Sequence, residues 1–327
     1  MTAVTLAVGT GTAIANNTTG DPLPDIQSAQ TAVQSAQTAL TNAQSVLTNA
    51  QTYLSSAAAK AAPAPTTSPT TSPTTSPTTS PTTSPTTAPV ASNLPAGNWT
   101  MKFNDEFSGS SLDTSKWGTR YPWGTQLNTG TSETQCYEPS ALSEGSGVLT
   151  ITATKKQDTC QGKTQVTEPY ISGMIQSRSS YTFTYGYSEI RAKLPGDSTT
   201  WPAFWQLPAD YSWPPEFDVF EGWGQHDANG NLNRITQTDI WASGGGQTQT
   251  QVTGKDFTST WHTYGVDWEP GSLTFYLDGV AMAHYTSNVP SKAMYVLANL
   301  AMQSGSASSG PSSAKMQIDY IRVFQKS

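Results

Sequence analysis

The sequence predicts an all-β domain that follows an N-terminal region of different composition. After Asn98, short runs of alternating apolar and polar residues are separated by Gly, Pro, Asn and Ser turns, and no helical period exceeds about two turns. Residues 1–92 hold only three charged residues, although 12% of the 327-residue chain is charged. The remaining stretch of about 235 residues suits a single β-sandwich or barrel.

The nearly uncharged front divides into three segments. Residues 1–24 are predicted to be a signal-like or disordered N-terminus, because Ala13-Ile14-Ala15 resembles a signal cleavage pattern. The positive charge that normally opens such a signal is missing, so a longer signal and a poor one both stay open. No stretch reaches the ~18–20 apolar residues that span a bilayer, and we expect no membrane span.

Residues 25–62 are predicted to form a helical heptad segment. Large apolar residues recur every seven positions, with an Ala three positions after each: Ile26, Val33, Leu40, Leu47 and Leu54. In a coiled coil the large residues would take heptad position a and the Ala residues position d, where small side chains allow two helices to approach closely. Positions e and g carry no charges that would specify a partner. We therefore predict self-association through residues 25–60, with a lone marginal helix and simple disorder as the alternatives.

Residues 63–95 are predicted to be a Pro/Thr/Ser-rich linker. Five Thr-Thr-Ser-Pro repeats and one Thr-Thr-Ala-Pro fill residues 66–89, which favours extended polyproline II. At ~3.1 Å per residue this tract could hold its flanks about 75 Å apart. Such a tract is typical of stalks in exported proteins, so we predict a secreted, extracellular protein with a cell-wall association left open.

Charge and cysteine content argue against several classes of partner and metal site. The net charge of −7 argues against a nucleic-acid partner and against an anionic membrane surface. Cys136 and Cys160 are predicted to form a disulfide that closes a ~25-residue loop and contributes about 3 kcal/mol, with two free thiols as the alternative. Neither cysteine lies in a metal-ligand cluster, and with three His in the chain we expect no transition-metal site.

The most informative stretch holds three carboxylates within six residues in an aromatic frame. In a strand, Glu216 and Asp218 share one face, while Phe217 and Val219 face the core. Glu221 has the wrong parity, and a β-bulge would return it to the carboxylate face. Long Glu side chains could then reach the ~5–5.5 Å separation of a retaining glycosidase. An acidic surface turn and a carboxylate cation site are the alternatives.

Most of residues 99–325 resembles glycoside hydrolase family 16, the laminarinase and lichenase group. The run from Glu216 to Glu221 matches its E-x-D-x-x-E signature. Further collinear matches are Asn104 to Gly109, Tyr185 to Arg191, Trp201 to Trp205, Trp261 through Gly279, and Ile318 to Phe324. The resemblance implies a concanavalin A-like jelly-roll sandwich of two curved antiparallel sheets over residues 96–327, with a sugar-binding cleft.

The resemblance also implies roles for individual residues. Glu216 would be the nucleophile, Asp218 the assisting carboxylate and Glu221 the acid/base. Two glutamates held close together cannot both ionise easily, so one keeps a proton for the leaving oxygen. Trp205, Trp213 and Trp223 are expected to border the cleft, although each could instead be a core residue.

Other expected contacts rest on the same resemblance. Glu189 and Arg191 match positions that contact sugar hydroxyls, with a surface ion pair as the alternative. On the strand after the catalytic one, the predicted cleft residues are Gln237, Asp239 and Trp241. Family members often have His where Asp239 stands, which leaves the substrate open. Asp319 matches a position where some members hold a structural calcium ion, the one cofactor considered, and His262 is expected to be structural.

The leading prediction is a secreted, endo-acting, retaining hydrolase of β-1,3- or mixed β-1,3/1,4-glucan. A galactan hydrolase or a transglycosylase stays open, because specificity in such a fold lies in the cleft loops. A non-catalytic glucan-binding or adhesion protein is the rival class, and both retained glutamates count against it. A third hypothesis is a wall-spacer protein whose function resides in residues 25–89.

Overall fold

The computed structural model describes residues 4–8, 11–15, 92–128, 131–162, 165–223, 231–244 and 246–327. The predicted heptad segment at 25–62, and the linker as far as residue 91, lie outside these residues. Within the described ranges no helix combines the length and the apolar character needed to cross a membrane.

The chain divides into two units, residues 1–74 and 75–327. In the first unit, β1 (Val4–Val8) pairs antiparallel with β2 (Gly11–Ala15). This pairing does not test the prediction of a signal-like segment, because a backbone hairpin carries no information about export.

In the part of the second unit that the structure describes, the regular elements are strands with two short helical turns. Two short helical turns interrupt them, a 3-10 turn at Pro139–Ala141 and α1 at Ser306–Ser309. In chain order the strands are β3 (Trp99–Asp105), β4 (Gln135–Tyr137), β5 (Leu142–Gly145), β6 (Val148–Cys160), β7 (Val166–Ser172), β8 (Met174–Gln176), β9 (Gly186–Lys193), β10 (Thr200–Pro208), β11 (Glu216–Glu221), β12 (Arg234–Ala242), β13 (Gly246–Thr253), β14 (His262–Glu269), β15 (Ser272–Leu277), β16 (Val280–Tyr285), β17 (Met294–Met302) and β18 (Ser313–Lys326).

Across the described part of this unit, the strands form two sheets. The six-stranded sheet has the order β13-β12-β11-β10-β17-β8. The ten-stranded sheet has the order β16-β15-β14-β9-β18-β6-β7-β4, with β3 paired to β18 and β5 paired to β6. Neighbouring strands are antiparallel except β4 and β7, which are parallel. The predicted all-β sandwich of jelly-roll type is confirmed.

The two sheets bury one face of each strand against the other. Phe217 of β11 packs on Trp268 of β14 with ring centroids 5.5 Å apart, and Phe220 packs on Tyr264 at 4.4 Å. All four side chains are fully buried. Burying each such side chain contributes roughly 1.5–3 kcal/mol. The carboxylates Glu216, Asp218 and Glu221 of β11 lie on the opposite, outward side of the strand and line a cleft.

The folded domain begins earlier than the sequence predicted. Arg322 Nη1 donates to Ser92 Oγ at 2.7 Å, and the Asn93 amide donates to Glu189 Oε2 at 3.3 Å. Trp99 Nε1 donates to the carbonyl of Pro95 at 2.9 Å. Residues 92–95 therefore belong to the sandwich rather than to the linker, because they satisfy polar groups of β9 and β18.

Candidate active site

A bulge shapes the strand that carries the carboxylates. On β12, Thr238 lies opposite Asp218 and Thr236 lies opposite Glu221, so two residues of β11 face one residue of β12. Both intervening side chains of β11 are fully buried in the core. The predicted bulge is present, and it returns Glu221 to the same outward face as Asp218.

The three carboxylates form one hydrogen-bonded cluster. Trp213 Nε1 donates to Glu216 Oε2 at 2.6 Å, and Trp201 Nε1 donates to Glu221 Oε1 at 2.9 Å. Asp218 lies between the glutamates, is only 2% exposed and shares hydrogen bonds with both. Each glutamate is thus held from one side by an indole N–H and from the other by Asp218.

Burial and mutual repulsion keep protons on this cluster. Burial raises the pKa of Glu216. Burial and then the charges of both glutamates hold the pKa of Asp218 well above its ordinary range. Burial, followed by the charge of Glu216, raises the pKa of Glu221 to about 7, although the Trp201 hydrogen bond opposes the shift. Near neutral pH the site can therefore hold a carboxylic acid beside a carboxylate.

The carboxylates lie in a cleft of ≈ 550 Å³ on the outward face of the six-stranded sheet. β10, β11, β12 and β17 supply its floor, and the described residues of two connecting segments, at 123, 128, 131 and 133 and at 211–213, complete the lining. Its aromatic side chains are Trp123, Trp201, Trp205, Tyr211, Trp213 and Tyr295. The cleft thus combines flat apolar surfaces with a cluster of proton-holding carboxyl groups.

The three tryptophans predicted to border the cleft have different positions. Trp205 lies in the floor, 8% exposed, and its Nε1 donates to Asn299 Oδ1 at 2.7 Å. Trp213 lines the cleft and is 55% exposed. Trp223 is exposed but is not part of the described lining, and its ring lies 6.1 Å from that of Trp201. It flanks the cleft at the Glu221 end of β11.

The structure does not bring Glu189 and Arg191 into the cleft. Both lie on β9, in the ten-stranded sheet. Glu189 is fully buried with Arg322 Nη1 at 3.9 Å from its Oε1, and Arg191 donates to Asp319 Oδ2 at 2.7 Å. The expectation of sugar contacts is corrected, because the two sheets present opposite outer surfaces and the cleft lies on the other one.

Gln237 and Asp239 are also corrected, because they face the core side of β12. Asp239 lies opposite Phe217, and the cleft residue of this strand is Ile240. Both predicted side chains are fully buried, and their polar side-chain atoms have no hydrogen-bond partner in the described structure. Burial raises the pKa of Asp239 to about 7. Trp241 is 40% exposed and does not belong to the described lining.

The side chains around Asp319 do not fit a calcium ion. Calcium takes six to eight oxygen ligands, whereas Asp319 is paired with the Arg191 guanidinium. Nowhere among the described residues do three or more Asp, Glu, His or Cys side chains cluster as metal ligands would. His262, expected to be structural, bonds Asp278 Oδ2 through Nδ1 at 2.7 Å on β14 of the ten-stranded sheet.

Several lining residues were missed in the sequence. Trp201 lies four residues before Trp205 on β10, so alternation puts both on the same face of the strand. The expected position of Trp205 therefore also predicted that of Trp201. Trp123, Tyr211 and Glu133 lie in irregular segments, where no period predicts the direction of a side chain.

A disulfide supports the segment that carries Trp123. Cys136 and Cys160 are joined, with an S–S distance of 2.03 Å. Leu127 packs against this disulfide, and the Gln126 amide donates to the carbonyl of Gln161 at 3.1 Å. The cleft wall is therefore attached to the residues that flank the covalent bond.

Comparisons with known proteins agree with this geometry. Residues 131–322 match the family model of glycosyl hydrolases family 16. The chain is 35% identical over 246 residues to the endo-1,3-1,4-β-glycanase EglC of Rhizobium meliloti, covering 69% of this chain and 51% of that protein. It is 30% identical over 260 residues to the glucan endo-1,3-β-glucosidase A1 of Niallia circulans, covering 68% and 37%.

A solved structure shares the fold. The endo-β-1,3-glucanase of Pyrococcus furiosus superposes with a TM-score of 0.61 at 26% identity, covering 70% of this chain and 95% of that one. This chain spans about half or less of the length of the two sequence relatives above. The matched region includes the bulged carboxylate strand and most of both sheets, and on this basis the chain belongs to glycosyl hydrolase family 16.

Proposed function

We propose that this protein is an endo-acting, retaining β-glucanase that cleaves β-1,3- or mixed β-1,3/1,4-glucan. The observation that carries the proposal is the carboxylate cluster of β11, in which the bulge sets Glu221 on the face of Glu216 and Asp218. A retaining glycosidase needs one carboxylate nucleophile and one carboxylic acid close together. The raised pKa of Glu221, about 7, supports its assignment as the acid.

In the first step, a Glu216 carboxylate oxygen attacks the anomeric carbon. Glu221 gives its proton to the glycosidic oxygen, the bond from that oxygen to the anomeric carbon breaks, and the leaving chain departs with a free hydroxyl. The Trp213 N–H and Asp218 orient Glu216 for this attack.

In the second step, water attacks the anomeric carbon of the glycosyl ester. Esterification has removed the charge of Glu216, so Glu221 is now more acidic and accepts the proton of water. The ester bond breaks, Glu216 regains its carboxylate, Glu221 is protonated again, and the anomeric configuration is retained.

The relatives support a glucan rather than another polymer. The Rhizobium and Niallia proteins are named for 1,3-1,4-β-glycan and 1,3-β-glucan cleavage. More distant relatives include a galactan endo-β-1,3-galactanase of Flammulina velutipes, 28% identical over 200 residues, so a galactan is the first alternative to test.

The test is reducing-sugar release by the full chain from laminarin, lichenan, agarose, carrageenan and xyloglucan, beside Glu216→Gln. We expect release from laminarin or lichenan that the variant loses, and a β-configured new reducing end by ¹H NMR. Release from agarose or carrageenan alone would replace the glucan with a galactan. Binding of laminarin without release would instead support a glucan-binding protein.

We also propose that the protein is exported and that residues 25–60 mediate self-association. The disulfide and the Thr/Ser/Pro tract support export. Analytical ultracentrifugation of the full chain beside a variant with Leu40→Ser and Leu47→Ser tests the second part, and equal masses would refute it.

A further inference from the structure

Glu133 is a fourth carboxylate of the cleft that the proposed reaction does not use. It forms an isolated bridge with Gln303, directly beyond the end of β17. In the sheet order β17 is separated from β11 by β10, so this carboxylate enters the cleft from a different wall. It is partly exposed and belongs to the lining.

A polar network fixes the Glu133 side chain. Gln135 Nε2 donates to Glu133 Oε2 at 2.8 Å, and the Tyr137 hydroxyl donates to the same oxygen at 3.4 Å. Asn299 Nδ2 donates to the Tyr137 hydroxyl at 2.9 Å, and the Trp205 Nε1–H donates to Asn299 Oδ1 at 2.7 Å. The network connects Glu133 to the cleft floor, so hydrogen bonds from neutral side chains preorganise its carboxylate.

The described lining of the cleft holds carboxylates and no basic side chain. Glu133, Glu216, Asp218 and Glu221 all line it, and no Lys or Arg belongs to its described lining. Arg178 stacks on the Tyr211 ring at 3.7 Å and donates to the carbonyl of Ala209, so its guanidinium supports a cleft segment instead. Among the described lining residues, the ionised carboxylates are the charges that a sulfate or carboxylate on a sugar would meet.

We propose that Glu133 is a specificity-determining residue that excludes anionic glycans from the cleft and leaves it open to neutral ones. The inference rests on the proposed glucanase function and names the charge class of its substrate. The three residues of β11 are needed for any substrate, whereas Glu133 is free to select among substrates. Its like-charge contact with an anionic substituent opposes binding of the wrong polymer.

The electrostatic surroundings of Glu133 give this selection a pH dependence. Burial raises the pKa of Glu133 to about 7, against the hydrogen bonds from Gln135 and its neighbours. The titratable groups that act on it are Tyr121, Tyr137 and Glu221; burial raises the pKa of both tyrosines well above their ordinary range, so they stay neutral. Rejection of anionic chains therefore strengthens as the pH rises through about 7.

The experiment compares kcat/KM of the full chain on carboxymethyl laminarin and on hydroxyethyl laminarin of equal substitution, with unmodified laminarin as reference. The two substituents have similar bulk and differ in charge. Assays run at about pH 6 and about pH 8, in about 0.01 M and about 1 M salt, where the Debye length is ~30 Å and ~3 Å. The variants are Glu133→Gln, which keeps an acceptor for Gln135 and Tyr137, and Glu168→Gln on β7 as a partly exposed carboxylate outside the cleft.

We expect Glu133→Gln to raise the carboxymethyl-to-hydroxyethyl ratio on the order of tenfold at about pH 8 and low salt. Molar salt should raise the wild-type ratio similarly, and Glu168→Gln should leave it unchanged. An unchanged ratio in Glu133→Gln, or a wild-type ratio indifferent to salt, would overturn the inference while laminarin turnover persists. Absence of laminarin turnover in the wild type would instead overturn the glucanase assignment, and the inference with it.

Discussion

Carboxylates on the outer faces of the two sheets differ in whether they form salt bridges. On the six-stranded sheet, none of Glu216, Asp218 and Glu221 forms a salt bridge within the described part of the chain. On the ten-stranded sheet, Glu106 pairs with Arg322 at 2.6 Å and Asp319 pairs with Arg191 at 2.7 Å.

The Arg322 pair decides the protonation of Glu106. Burial alone would raise the pKa of Glu106, but the Arg322 guanidinium lowers it overall, so this carboxylate stays ionised. The unpaired cluster on β11 is shifted upward and keeps protons. The Arg322 pair therefore keeps Glu106 ionised, whereas the β11 cluster, without a salt bridge in the described structure, can hold a proton for acid chemistry near neutral pH.

The largest effect on turnover is expected from the β11 carboxylates of the six-stranded sheet. Glu216→Gln should lower kcat on laminarin by more than about 10⁴-fold because it removes the nucleophile, and Glu221→Gln should lower it by about 10²–10⁴-fold. Neither should lower Tm, since each removes a charge from a repulsive cluster. Glu168→Gln is the matched control, and wild-type turnover in Glu216→Gln would remove this residue from the reaction.

Substitutions that remove a salt bridge of the ten-stranded sheet should lower the free energy of unfolding and leave turnover unchanged. Arg322→Met leaves the buried Glu189 and the partly exposed Glu106 without their cation, and breaking a buried pair costs about 3–5 kcal/mol. Urea unfolding measures the loss, and kcat/KM of the folded variant should stay at the wild-type value. Lys326→Met removes an exposed partner of Glu269 and should cost less than about 1 kcal/mol. Equal losses in the two variants would contradict the comparison.

The next prediction concerns Asp239, a carboxyl group buried on the core side of β12 without a hydrogen-bond partner in the described structure. Its pKa of about 7 lies above the ordinary 3.8, so the folded state disfavours its ionisation. The resulting destabilisation is absent below about pH 4, grows as the pH rises and is complete above about pH 7. Asp239→Asn should therefore be more stable than the wild type by a few kcal/mol at about pH 8, since each pKa unit is worth about 1.4 kcal/mol.

The control for this prediction is the same pair of proteins at about pH 3, where Asp239 is largely protonated in both the folded and the unfolded state and the unfolding free energies should agree. A constant difference between them at all pH values would show that shape, and not charge, separates the two side chains.

A smaller effect concerns the two indole donors. The Trp201 hydrogen bond lowers the pKa of Glu221, and that of Trp213 lowers the pKa of Glu216. Trp201→Phe should therefore move the alkaline limb of the kcat/KM profile upward by a few tenths of a unit to about one unit, and Trp213→Phe should move the acid limb upward. If either variant moved the opposite limb, the acid and nucleophile assignments would have to be exchanged.

The smallest effect is expected from chelation of divalent cations. Because Arg191 neutralises Asp319, the ten-stranded sheet should need no calcium, and Tm should be equal in EDTA and in excess calcium. A clear rise of Tm in calcium would show a cation site that these side chains do not explain.

The sequence predicted the strand of carboxylates because period-two alternation interrupted at one point is a local property. It could not assign β9 to a sheet, since strands of both sheets alternate alike, and Glu189 and Arg191 were misplaced for that reason. Asp239 was assigned to the wrong face of β12. Its face is decided by its position opposite Phe217 on the neighbouring strand, which the local sequence does not show. Glu133 lies in an irregular segment whose direction depends on the distant Gln303.

The bulge in β11 also works as a frameshift within a strand. Residues before it and residues after it follow the same alternation in different phases, so one extra residue decides which side chains reach the outer surface. Deleting Val219 would restore a single phase and give the spacing Glu-x-Asp-x-Glu, which presents three carboxylates on one face without any bulge. Deleting Phe217, between Glu216 and Asp218, would instead break the set, so only the stretch between Asp218 and Glu221 tolerates the loss of a residue.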